Sequence, residues 1–161
     1  MKLFLGLCAV VAALVLLSGC SNTSGGGDLE VILNEWSITV DKPSLPEGPI
    51  DFTIRNQGTK DHDLVILRTD IPPDQLPTKS DGSVDTGAAD VHEERKVEDL
   101  GDGDKTGRTY TLSAGNYVFI DNRVETEDSQ KVSYYQQGMR VAFTVTKEGE
   151  SPSPTSSPSG S

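Results

Sequence analysis

Between residues 29 and 147 the apolar side chains recur with a period of two, and nowhere in that span with a convincing helical period, which confines the chain to strands packed face to face. Leu29, Val31 and Leu33 alternate with Glu30, Ile32 and Asn34, and Trp36, Ile38 and Val40 continue the alternation to the break at Asp41-Lys42-Pro43. Leu45-Pro46-Glu47-Gly48-Pro49 reads as a turn. Ile50, Phe52 and Ile54 face away from Asp51, Thr53 and Arg55, the pattern of a half-buried antiparallel strand that stops at Asn56-Gln57-Gly58. Leu64 to Leu67 is apolar on both faces, as a central strand should be. Later strands are expected at Thr109–Ala114, Tyr117–Ile120 and Val141–Thr146.

Residues 70–104 carry Pro72, Pro73, Pro77, several glycines and many acids with little periodicity, so they read as a long connection. Within it Val91–Leu100 fits either a helical turn or a short strand. Seven or so strands and no helix beyond a turn or two give an all-β chain, a Greek-key β-sandwich.

The ends read differently. Lys2 precedes an apolar run, Leu3–Leu17, too short for a membrane span and right for a signal peptide over 1–19. Leu17-Ser18-Gly19-Cys20 resembles the lipobox of bacterial lipoproteins, in which the signal is cut before the cysteine and the cysteine is acylated. Its position and neighbours favour that over an ordinary signal peptide with an incidental cysteine. The expectation is lipidation at Cys20, a flexible tether over 20–28, one folded domain over 29–147 and a disordered Ser/Pro-rich tail over 148–161. Two or more acyl chains anchor stably, which places the protein on the extracytoplasmic face of the cell membrane with the membrane as its first partner.

Cysteine usage then removes whole classes of chemistry. Cys8 lies in the segment to be removed and Cys20 would be acylated, so no thiol remains for a disulfide, a nucleophile, a zinc ribbon or an iron–sulfur cluster. The formal net charge of -11, about -12 once Lys2 is lost with the signal, repels nucleic acid and anionic headgroups. With two histidines, no H-E-x-x-H, no G-x-S-x-G and no phosphate-binding glycine loop, no enzyme constellation is present.

Two motifs carry a family resemblance. Asn56-Gln57-Gly58-Thr59-Lys60-Asp61-His62-Asp63-Leu64-Val65 matches N-x-G-x-x-x-H-x-(L/F)-V, and Gly115–Asn122 followed by Tyr134-Tyr135-Gln136-Gln137-Gly138-Met139 is similar to a closing C-N-x-x-G-H-Y-x-x-G-M loop. Both belong to cupredoxin-domain proteins, the blue-copper fold, and the resemblance covers roughly residues 29–147. It implies a cupredoxin-like sandwich, with copper binding or electron transfer as the family role and His62 as the first copper ligand.

The remaining positions depart from the pattern. Asp121 stands at the cysteine, Tyr134 at the second histidine, and only His62 and Met139 keep ligand chemistry. Asp121 and Tyr134 are thirteen positions apart where the pattern has five, so about eight polar and charged residues are inserted within Arg123–Ser133. A blue-copper centre needs two imidazoles, a thiolate and a weak axial thioether. One imidazole and one thioether do not make it. The expected role is therefore a non-redox binding or accessory module without a cofactor, with a protein partner in the envelope; a separate, purely structural possibility is a surface protein whose acidic 81–104 connection or 123–133 loop docks a protein partner. The alternative is a non-blue copper(II) or other divalent-metal protein using His62 and Asp121, with Tyr134 and Met139 nearby.

Three plainer readings stand beside these. His62, between Asp61 and Asp63, reads as a solvated, acid-paired histidine, and Met139 as an apolar plug at the top of the sandwich. His92 reads as a surface residue. Asp99, Asp102 and Asp104 offer a weak calcium-loop pattern that lacks its third acid and has Ser113 where the closing Glu should be.

Overall fold

The computed structural model describes residues 25–150; the signal segment, Cys20 and the end of the tail lie outside the described residues. In chain order the elements are β1 (Gly27–Asn34), β2 (Ser37–Val40), β3 (Ser44–Pro46), β4 (Gly48–Asn56), β5 (His62–Arg68), β6 (His92–Leu100), β7 (Lys105–Leu112), β8 (Gly115–Ile120), β9 (Val124–Glu127), β10 (Gln130–Ser133), the four-residue helix α1 (Tyr134–Gln137) and β11 (Arg140–Thr146). They form a four-stranded sheet in the order β2-β1-β4-β7, a five-stranded sheet in the order β3-β11-β8-β5-β6, and a separate two-stranded ribbon of β9 and β10. Among the described residues no helix is long and apolar enough to cross a membrane.

The alternation does what its period dictates. Leu29, Val31 and Leu33 of β1 and Ile50, Phe52 and Ile54 of β4 are buried between the two sheets against Phe119 and Phe143. Each such side chain contributes about 1.5–3 kcal/mol by leaving water. Pairing differs from the sequence expectation in two ways. The β1 alternation does not run on through Trp36: Glu35 and Trp36 form a two-residue turn, and β2 folds back to pair Leu33 with Ile38. Strand β4 is antiparallel to β7 but parallel to β1, because the chain crosses from one sheet to the other between them. The Leu45–Pro49 turn also contains a strand, β3, which pairs parallel to β11.

Strand β5 is central, between β8 and β6, and it is buried on both faces. Its inner face joins the main core; its outer face, Val65 and Leu67 with Val118 and Ile120 of β8, is covered by Leu76, Val84, Val91 and Tyr135. The long connection is thus a packed layer. Three side chains tie it down: Asn122 exchanges two hydrogen bonds with the backbone of Val84 (2.6 and 3.1 Å), Ser133 Oγ donates to the Gly82 carbonyl (2.7 Å), and Tyr135 Oη joins Leu76 N–H (3.2 Å) to the Pro73 carbonyl (2.9 Å). Within that connection Val91–Leu100 resolves to a strand, β6, whose side chains are largely exposed because it is the sheet edge.

Candidate functional site

The sequence-selected residues converge at one pole of the sandwich. His62 opens β5 and Asp121 follows the last residue of β8, a neighbour in the same sheet, so strand pairing brings together side chains 59 positions apart. Both are wholly buried. His62 Nδ1 lies 2.8 Å from Asp121 Oδ2, which also accepts from the Asp63 N–H (3.2 Å), while Oδ1 accepts from the Arg123 N–H (3.0 Å). Burial pushes the Asp121 carboxyl up, and the hydrogen bonds from His62 and the two backbone amides pull the other way. A carboxyl facing two amide N–H groups acts as an acceptor, so the imidazole donates to it through Nδ1 and leaves Nε2 on the far side of the ring. That Nε2 is buried with no hydrogen-bond partner.

Tyr134 and Met139 complete the ring. Ser133 caps α1, its Oγ accepting from Gln136 N–H (3.3 Å), and Gly138 ends the helix at φ 122, where a Cβ would come within 2.9 Å of the Trp36 carbonyl. This short turn seats Tyr134 edge-on against both Trp36 (5.2 Å between centroids) and His62 (5.4 Å). Met139 N–H donates to the Tyr134 carbonyl and Asp121 N–H to the Met139 carbonyl, both at 3.1 Å. The Tyr134 hydroxyl is buried without a hydrogen-bond partner; burial first, and then the nearby Glu125 carboxylate, push its pKa up, so it stays neutral. Met139 is wholly buried in the main core.

His62 is therefore not the solvated histidine its acidic neighbours implied. Asp63 turns instead to the Asp99 N–H (3.0 Å) and to Arg123, whose Nη1 sits 3.1 Å from both Asp63 and Asp99. A register shift between β5 and β6 opposite Asp63 makes this possible by re-aiming Asp99, which sits at φ 56. Asp104 Oδ2 accepts from the Gly101 N–H in a tight turn, and His92 is exposed at the start of β6. Among the described residues no three His, Cys, Asp or Glu side chains gather as a metal-holding group.

Sequence reasoning passed over several residues that shape the pole. Glu35, in the β1–β2 turn, accepts from the backbone N–H groups of Thr59 and Lys60, and these bonds, Lys60 first, hold its carboxyl down at about 2. Lys60 reaches Glu125 (2.9 Å) and Glu127 (2.7 Å) in the insert. The insert itself is the β9–β10 ribbon, turning at Asp128 and Ser129 with both residues at positive φ (48 and 69). Without a glycine there, the turn gave no sequence signal.

The donor set does not fit a blue-copper centre. It has no thiolate and one imidazole, whose Nδ1 is committed to a carboxylate, and the phenol in the second histidine's place is kept protonated.

No family model matches the chain, and no curated protein matches it. Solved structures do. Rusticyanin from Thiobacillus ferrooxidans superposes with a TM-score of 0.50 at 16% identity, covering 75% of this chain and 79% of that one. An auracyanin from Roseiflexus castenholzii matches at a TM-score of 0.49 and 22% identity over 76% of this chain and 98% of its own. Auracyanin A from Chloroflexus aurantiacus, a "blue" copper protein, matches at 0.47 and 14% over 75% and 100%. The match to rusticyanin establishes a shared fold.

Proposed function

For a cupredoxin-fold domain whose pole carries a carboxylate and a phenol in place of ligands, we propose a lipid-anchored, extracytoplasmic module that binds a partner rather than passing electrons through a blue-copper centre. The observation that carries this reading is the buried His62–Asp121 pair, 2.8 Å apart, in which the carboxylate occupies the imidazole nitrogen. The Leu3–Leu17 run, the Leu17–Cys20 motif and the absence of any other thiol after residue 19 support the anchor and the missing thiolate together. The partner is a protein of the cell envelope, and the strongly acidic surface argues against nucleic acid.

Titrating purified protein with copper(II) tests the reading: no intense visible copper–thiolate absorption should appear, and such a band would overturn it. One observation favours a second reading, a carrier of non-blue copper(II) or another divalent ion at His62 and Asp121: Nε2 of His62 is buried with no hydrogen-bond partner. Calorimetry on the native chain and His62→Ala separates the two. Equal, negligible heats end the second reading; heat that vanishes with His62 ends the first.

A further inference from the structure

The β9–β10 ribbon is built unlike the rest of the molecule. Its strands pair only with each other, outside both sheets, and its outer residues Thr126–Lys131 are exposed. A lone two-stranded ribbon is marginal in water and takes its position from whatever ties it to the body. At its base Tyr134 N–H donates to the Arg123 carbonyl (3.0 Å), and Ser133 Oγ donates to Gly82. Farther out the ties include one lysine fork: Lys60 Nζ to Glu125 on one side and Glu127 on the other. Lys60 stands two residues before His62, and Glu125 lies beside the Tyr134 hydroxyl.

What lies beneath is the second half of the observation. His62 Nε2 is wholly buried with no hydrogen-bond partner, and beside it the buried Tyr134 Oη has only the Glu125 carboxylate of the ribbon near it. A buried polar atom left unpaired is costly, and native structures keep such atoms where a guest, a water or a conformational change satisfies them. The two rings meet edge-on at 5.4 Å, and the ribbon, held to Lys60 by partly exposed ion pairs, brings Glu125 to the Tyr134 hydroxyl.

We propose that the β9–β10 hairpin is a hinged cover, latched by Lys60 to Glu125 and Glu127, whose opening admits small polar molecules to the His62 imidazole. The base bonds at Arg123 and Ser133 act as the hinge. The cover is independent of whether the pole binds metal.

Accessibility of one nitrogen tests this. In the full chain carrying His92→Gln and no histidine tag, His62 is the sole imidazole, and diethyl pyrocarbonate acylates an imidazole nitrogen only when reagent reaches it. Peptide mapping follows the rate at His62 with the latch intact, with Lys60→Met, and with Glu125→Gln and Glu127→Gln together. Release of two partly exposed ion pairs should raise the rate about three- to tenfold, and high salt should raise it in the unlatched direction for the intact latch. Hydrogen exchange should quicken across residues 124–133 and stay slow in β8 and β11. Equal modification rates in all three proteins, or faster exchange in β8 and β11 to the same extent as in the ribbon, would overturn the proposal.

Discussion

Asp121 ties the pole together with hydrogen bonds to three separate groups. His62, the Asp63 amide and the Arg123 amide all end on its two oxygens. Its truncation leaves a buried imidazole N–H and two amides unpaired at once, each at a cost of about 1–3 kcal/mol. Asp121→Ala should lose about 3–5 kcal/mol in denaturant unfolding, the sum of such unpaired donors; an unchanged midpoint would mean that the pair contributes nothing to the fold. This role was not legible beforehand. The motif places Asp121 at a ligand position, which is a statement about sequence alignment; that the carboxylate faces His62 follows from the pairing of β5 with β8.

At the scale of elements, the long connection behaves as a third layer. Residues 70–91 contain one isolated bridge, Thr78 to Val84, and otherwise depend on side chains of the pole to lie flat on the outer face of β5 and β8. Tyr135 is the clearest of these. Its hydroxyl takes the Leu76 N–H and gives its proton to the Pro73 carbonyl, so Tyr135→Phe leaves one backbone donor and one acceptor unpaired. That should cost about 1–2 kcal/mol, seen as faster amide exchange in residues 73–84 while β4 and β8 stay protected; uniform protection would refute the layer's dependence on it. Strands such as β4 and β11 were legible because one buried face imposes period two. Strand β6 was not, because an edge strand with mostly exposed side chains has no such face, and β9 and β10 were not, because they bury little and turn without glycine.

For the whole molecule, charge and export signals set the setting in which the pole works. With 25 acids against 14 lysines and arginines the chain repels anionic headgroups, so the membrane attachment proposed for it would rest on acyl chains at Cys20. Mass spectrometry of the mature amino terminus should find acyl chains on Cys20 and lose that added mass in Cys20→Ala; an unmodified Cys20 in the native chain would sink the anchor. The acidic composition, the all-β character and the absence of any cysteine after residue 20 are properties of residue type and order, so they were determined by the sequence alone. The period-two pattern determined the strands in the same way, since alternation is local. The tertiary structure decided which strands became neighbours, that β1 and β4 run parallel, and that His62 is buried against Asp121 rather than solvated beside Asp61. Those outcomes turn on contacts between residues far apart in the chain, where pairing and the exclusion of water choose among partners that local pattern leaves equivalent.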